Sequence, residues 1–414
     1  MSRINDLIKE LCPNGVEHKQ LNEIADTFIG LATSVTKHKT SDGVILLHNS
    51  DIKQNKIVLK TIEFIDKGFA DKNVNKYYQY HDIATVHTGD VGTSAVIEEE
   101  YVGSMGFTTL VTRIYDFNYI NPYFLCHYFN SKLFKNDVAR VTISDRSNLN
   151  QKEFCQLLIP IPPLEVQNEI VRILDKFGEL EAELEAELEA RKSQYEFWRG
   201  KLLNKEYGNK KNIYEVTIWD KKFNSVEKNM QPSTIKYPVL LASDLFLLDK
   251  PNGNVFLLST GEQTGWTTEE LAGENLCEGE VVTIPGGKSR PVSEVMKYYN
   301  GKFVTGDNRI ATSNDKDLLL NKYLYYWFQN NGNEIDTFYR GAGIQHPNMK
   351  KILTMTIDIP PLEIQKNIVN ILDKFESLVN DITLGLPAEI ELRRKQYEYY
   401  RNKLLSFEEL SVSE

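Results

Sequence analysis

The sequence predicts a mixed α/β (α+β) chain. Two globular domains are joined by two long antiparallel, coiled-coil-like helical regions, and the whole carries an internal pseudo-twofold repeat. Three observations predict this. First, Ile159–Leu203 (IPIPPLEVQNEIVRILDKF…RKSQYEFWRGKLL) returns at Ile357–Leu405 (IDIPPLEIQKNIVNILDKF…RRKQYEYYRNKLL), offset by 198 residues at Pro162/Pro360 and by 202 at Gln194/Gln396. The four extra residues of the second copy amount to about one helical turn, about 6 Å of axis. Second, apolar residues inside each copy recur at helical spacing. Third, each copy follows a stretch of roughly 150–160 residues that mixes short strand-like runs with a few helical ones, and the two stretches differ strongly.

These features divide the chain into a first globular domain at 1–158, a first helical region at 159–205, a second globular domain at 206–356, a second helical region at 357–410 and a tail at 411–414. The opening MSRINDLIKELCPNG is amphipathic with internal charges, unlike a signal peptide. Asp82–Gly89 (DIATVHTG) predicts a short strand running into a Gly turn, and Glu280–Gly287 (EVVTIPGG) is its counterpart. Asn121–Asn130 and Asn321–Asn330 predict an apolar, aromatic helix in each half, while Ser144–Asn150 and Ala342–Asn348 predict polar turns.

Each helical copy opens on Ile-Pro-Pro-Leu-Glu. A proline pair fixes φ and removes donors, so it cannot sit within a helix but can launch one. From Leu164 the stripe runs through Val166, Ile170, Ile173, Leu174 and Phe177 into LEAELEAELEA (180–190), a four-residue repeat whose other face is acidic. Such a repeat suits a spacer of adjustable length. In the second copy the same place reads LVNDITLGLPAEIEL, where Gly385-Leu-Pro predicts a stop and a restart. The copies end on QYEFWRGKLL and QYEYYRNKLL. Their Tyr195, Trp198 and Arg199, and Tyr397, Tyr400 and Arg401, are candidates either for the core or for a partner surface, since aromatic and Arg side chains dominate interface hot spots.

Apolar content of 41% and aromatic content of 11% exclude disorder over most of the length. No run of 18 apolar residues exists, which excludes a spanning helix. The four Cys are scattered with no C-x-x-C pair, as expected of a reduced cytoplasmic chain without a structural zinc site. The net charge of −10 is uneven: 17 basic against 19 acidic residues in 1–158 and 18 against 18 in 204–356, but 6 against 10 and 7 against 11 in the helical copies with the tail. The globular halves are thus near neutral. They offer little phosphate neutralisation, so tight DNA binding would need partner subunits.

No catalytic constellation emerges. Pro285-Gly-Gly-Lys-Ser289 ends like a phosphate loop, but the motif needs Gly at 282, where Val stands, and Pro291 follows at once. The seven His show no H-E-x-x-H spacing, so no metal site is expected. Polar loops remain, and these residue types read base edges. The candidates are His87, Thr88, Thr93, Ser144, Arg146, Ser147 and Asn148 in the first half. In the second they are Gln263, Thr264, Lys288, Ser289, Arg290, Arg340, Gln345, His346 and Asn348.

The order of variable domain, IPPLE…ILDKF…RK-Q-Y-E, second variable domain and second copy with its GLP break resembles the specificity subunit of type I restriction–modification enzymes over the whole chain. The LEAE repeat resembles the tetrapeptide repeat of some members. The resemblance implies two target-recognition domains, one per half of a split site in double-stranded DNA, on a spacer of antiparallel helices. It implies docking of two modification (methyltransferase) subunits through the helical copies, and of restriction (motor) subunits. S-adenosylmethionine and ATP would then sit on those partners, this chain being non-catalytic with no cofactor of its own. Two other classes remain to be tested: a stand-alone nucleotide-binding enzyme using the Pro285–Ser289 loop, and a purely structural coiled-coil scaffold.

Overall fold

The proline pairs launch helices where their chemistry requires. In the computed structural model, α2 (Leu164–Leu203) and α4 (Leu362–Asn380) each begin directly after Pro163 and Pro361. The remaining helices of the frame are α1 (Pro122–Phe129), α3 (Asn321–Asn330) and α5 (Leu386–Leu404). The structure describes residues 2–410 except 33, 144–147, 260–264, 289, 307 and 382, with backbone only at 2, 143, 148 and 308. α2 continues for 40 residues without a break, about 60 Å at the standard rise. The second copy breaks after Asn380: the Asp381 carboxylate accepts from Thr383 N (2.7 Å) and Leu384 N (3.1 Å), and α5 restarts at Leu386. A Cβ at Gly385 would lie 2.6–2.8 Å from the carbonyl oxygens of Ser377, Asp381 and Leu378, so the turn excludes any larger residue.

The chain packs as two compact units, one comprising Met1–Glu185 with Glu389–Glu414 and the other Ala186–Ala388. The division falls inside α2, not at the 158/159 and 205/206 junctions read from the sequence. The reason is burial at both ends of that helix. Val166, Ile170 and Leu174 belong to the core of the first unit, and Tyr195 and Leu203 to the core of the second.

In the first unit, β1 (Ala25–Ile29), β2 (Ile83–Val86), β3 (Ser94–Val96) and β4 (Thr109–Ile114) form an antiparallel sheet in the order β1-β4-β2-β3. Its core joins Leu110, Ile114, Phe124, Phe129, Phe134 and Phe154 to the start of α2. α5 runs antiparallel to α2. Phe177 lies 5.5 Å from the ring of Tyr400 and 6.2 Å from that of Tyr397, while Arg394, earlier in α5, bonds Glu181 and Glu185, later in α2. The two ends of the chain meet here: Val16 N donates to Glu408 O (2.9 Å) and Leu410 N to Val16 O (2.9 Å).

In the second unit, β5 (Thr217–Trp219), β6 (Val255–Leu258), β7 (Trp266–Thr267), β8 (Cys277–Pro285), β9 (Lys297–Thr305) and β10 (Asn308–Ser313) form a six-stranded sheet ordered β5-β10-β8-β9-β6-β7. Trp219, Tyr323, Tyr326 and Phe328 pack against Ile368 and Leu372 of α4.

One repeated side chain docks each Pro-Pro corner to its domain. Gln167 and Gln365 are both fully buried. Gln167 accepts from Asn121 N (2.8 Å) and donates to Tyr119 O (3.0 Å) and Pro162 O (2.8 Å). Gln365 accepts from Leu320 N (2.9 Å) and donates to Leu318 O (2.8 Å) and Pro360 O (2.8 Å).

Candidate nucleic-acid interface

Strand register decides which loops share an end of each sheet. Thr109 pairs with Val86 and Leu110 with Ile29, so β1 and β2 end where β4 begins. The loops at this end are stitched by Asn49. Its Oδ1 accepts from His87 N (3.2 Å), and its amide donates to Thr108 O (3.4 Å) and Oγ1 (3.3 Å). Leu149 N donates to His87 O (3.0 Å), bringing the segment after α1 to the same place. Thr108 has φ +52°, an unfavourable conformation for a β-branched residue, held by its N–H on Leu31 O (2.9 Å). Burial lowers the pKa of the His87 imidazole. Lys76 donates to Ile29 O (2.5 Å) and Gly30 O (2.7 Å), and burial lowers its pKa too.

His87 and exposed Thr88 therefore stand at this end, with a hydrogen bond of 3.1 Å between their side chains. Thr93 does not present itself: it is 3% exposed, donates to Asp90 (2.6 Å) and accepts from Lys135 (2.9 Å). Ser144, Arg146 and Ser147 lie outside the described residues, and Asn148 is placed by its backbone alone, paired with Ile143.

The second sheet has the same kind of end. Pro285 pairs with Asn308 and Trp219 with Ala311, so β8 and β5 end where β10 begins. The Pro285-Gly-Gly-Lys loop is bound to the ribbon Tyr339–Arg340/His346–Pro347. Tyr339 OH donates to Pro285 O (2.7 Å), His346 Nδ1 to Gly286 O (2.7 Å), and Lys288 N to Gln345 O (3.0 Å). Lys288 is ion-paired with Asp336 and lies 4.9 Å over the Tyr339 ring. With its lysine and one backbone N–H already engaged, and only the four-residue helix Val292–Val295 behind it, this loop makes no phosphate cradle. The loop therefore does not favour the nucleotide-binding alternative.

Arg290, Arg340 and His346 are exposed at this end, and Gln345 is half-buried. Asn348 instead caps a short helix through Lys351 N (3.3 Å). Gln263, Thr264 and Ser289 lie outside the described residues. The sequence reading missed Asn49, Lys76 and Thr108. None has a local signal, because each acts through strands distant in sequence.

The helix ends require a correction of phase. Tyr195, Tyr397 and Arg401 are buried in their own units and are not surface residues. Tyr195 OH donates to Gln329 (3.4 Å); Tyr397 OH accepts from Asn55 Nδ2 (2.9 Å) and lies 3.3 Å from His127 Nδ1. Arg199 and Arg401 lie 5.1 Å from the rings of Tyr195 and Tyr397. Trp198 and Tyr400 are half-buried. The outward aromatics are their neighbours Phe197 (62% exposed) and Tyr399 (60%). Lys201 and Lys403 lie over them, each at 5.8 Å.

Among the described residues no group of three His, Cys, Asp or Glu is arranged to hold a metal ion, and no helix is long and apolar enough to cross a membrane.

The family model for the type I restriction modification DNA specificity domain matches residues 13–190 and 236–392. A putative type I restriction enzyme specificity subunit of Haemophilus influenzae is 34% identical over 308 residues, covering 70% of this chain and 73% of that one. The EcoR124I/EcoR124II specificity subunit of Escherichia coli is 30% identical over 285 residues, covering 63% and 65%. Among solved structures, the S subunit of a type I restriction–modification system from M. genitalium superposes with a TM-score of 0.55 at 10% identity, covering 94% of this chain and 96% of that one. A chain from a structure on complex assembly and conformational transition of the type I R-M system gives 0.60 at 15% identity, covering 95% and 98%. At such identities these two likenesses concern the fold.

Proposed function

Since the chain belongs to the type I restriction–modification DNA specificity family, we propose that its two units each read one half of a split site in double-stranded DNA through the loop-bearing end of their sheets. The observation that carries this is the same end in both units: strands finishing at Val86 and Pro285 deliver polar loops that distant segments hold in place. The chain recognises sequence, and neither catalysis nor a cofactor is assigned to it. S-adenosylmethionine and ATP belong to partner subunits, in the cytoplasm.

Two modification subunits dock on the helical copies, at the outward pairs Phe197–Lys201 and Tyr399–Lys403, and restriction subunits join through them. The repetition of each pair at the same spacing supports two equivalent docking places. Near-neutral globular halves make the chain alone a weak, poorly selective DNA binder.

The test is an exchange. Replacing residues 286–290 together with 339–347 by those of a relative, in cells carrying the complete system, should change the second half of the methylated motif and leave the first intact. A change in the first half, or none in the second, overturns the reading. Inserting one Leu-Glu-Ala-Glu unit after Ala190 should move the half-sites apart by about one to two base pairs, since four helical residues add about 6 Å and DNA rises 3.4 Å per pair. An active insertion variant with an unchanged gap removes the ruler role.

A further inference from the structure

Thr109 and Arg309 occupy the same register in the two sheets, paired with Val86 and Ile284 respectively. Both stand at the loop-bearing end. Thr109 is fully buried and satisfied, its Oγ1 lying 2.7 Å from Tyr78 OH. Arg309 brings a guanidinium to the same position. Its Nε and Nη1 are shielded from solvent and have no hydrogen-bond partner among the described residues. The Asp220 carboxylate accepts from Ile310 N (3.2 Å) and attracts the Arg309 guanidinium electrostatically. Arg309 Cζ lies 6.0 Å from the centre of the Phe223 ring.

The Arg309 side chain is half-buried, and its two shielded N–H donors left without a hydrogen bond are penalised. Structural support alone would favour an apolar residue here, or a small satisfied one such as Thr109. We propose that Arg309 is a specificity-determining residue, whose guanidinium leaves Phe223 when DNA arrives and donates to the paired acceptors of a guanine edge in the second half-site. The planar fork matches guanine O6 and N7 in the major groove. Phosphates can be met by Arg340, which is exposed on the ribbon bound to the Pro285 loop. This inference rests on the reading that this end of the sheet faces DNA.

The experiment sequences methylated motifs in cells carrying the complete system with Arg309→Lys, Arg309→Met or Arg340→Ala, and melts each purified chain. Lys keeps the charge and loses the fork. The expected result is that both Arg309 variants tolerate any base at one position of the second half, keep the first half unchanged and melt no lower than the parent. An unchanged motif with Arg309→Lys and uniformly weaker methylation with Arg309→Met would mean a phosphate contact and overturn the proposal. Lower melting with an unchanged motif would mean a structural role and overturn it as well. If Arg340→Ala weakens methylation while the Arg309 variants leave the motif intact, Arg309 alone is wrongly assigned. If no variant affects methylation, the facing of this end towards DNA fails with it.

Discussion

The two copies of the helical frame solve one problem identically and another differently. Gln167 and Gln365 each accept one N–H ahead of a domain helix, donate to one carbonyl of the preceding turn, and donate to the carbonyl of the first proline in their own Pro-Pro pair. The Tyr–Arg pairs keep their own geometry, 5.1 Å in both copies, but meet unlike surroundings: Gln329 in one, Asn55 and His127 in the other. Where the partner is backbone, the repeated residue finds the same groups whatever the domain's sequence. Where the partner is a side chain, each half supplies its own. A chain that holds dissimilar recognition domains on a repeated frame therefore benefits from anchoring through backbone.

The largest effect should come from the glutamines. Gln167→Leu or Gln365→Leu strands one N–H and two carbonyls, and each should cost about 3 kcal/mol of stability, since an unmade buried hydrogen bond is penalised more than a made one gains. Denaturant unfolding of the two variants should give similar losses; a marked inequality would break the equivalence of the copies. Next come the tyrosines. Tyr397→Phe leaves Asn55 and His127 without their hydroxyl and should cost about 1.5 kcal/mol, whereas Tyr195→Phe gives up one long bond and should cost under about 0.5 kcal/mol. Burial pushes both phenols up to about 12, so they stay neutral in the working range. Phenol ionisation should thus leave the contrast unchanged up to pH 9, and equal losses would dissolve it.

The smallest effect concerns a lysine in the second sheet. Lys297 donates to Ser259 O (2.9 Å), and burial lowers its pKa from the usual 10.5 to about 8. Between those values the unfolded chain binds more protons than the folded one, so stability should rise with pH across that interval. Lys297→Met should flatten this alkaline rise in denaturant titrations at pH 8 and pH 10; the same slope in parent and variant would remove Lys297 as its source.

Features of the fold governed by neighbours in sequence were legible. The double prolines start helices at Leu164 and Leu362, Gly385 sits where no Cβ fits, and the runs at Asp82 and Glu280 are strands leading to loops. Helical spacing located Tyr195, Tyr397 and Arg401 but not the phase of their helix, which depends on what α1, α3, α4 and the loop at Asn55 bring against it. Their neighbours Phe197 and Tyr399 face outward instead. Thr93 looked like a loop residue because its burial depends on Lys135 of a later helix. Arg309 was invisible because a strand residue shows its role only once register sets it beside Ile284 and near Phe223.

The closure of the first unit by Val16 against Glu408 and Leu410 has a consequence for biosynthesis. A ribosome releases residues in order, and domains fold as their segments emerge. Everything between Ala186 and Ala388 is available before Glu389 appears. The unit encoded in the middle can mature while the one begun first still lacks the helix carrying Tyr397 and the segment that pairs with Val16. A chain truncated after Ala388 would then be protected from protease across its second unit and susceptible in its first, the reverse of the usual vectorial order.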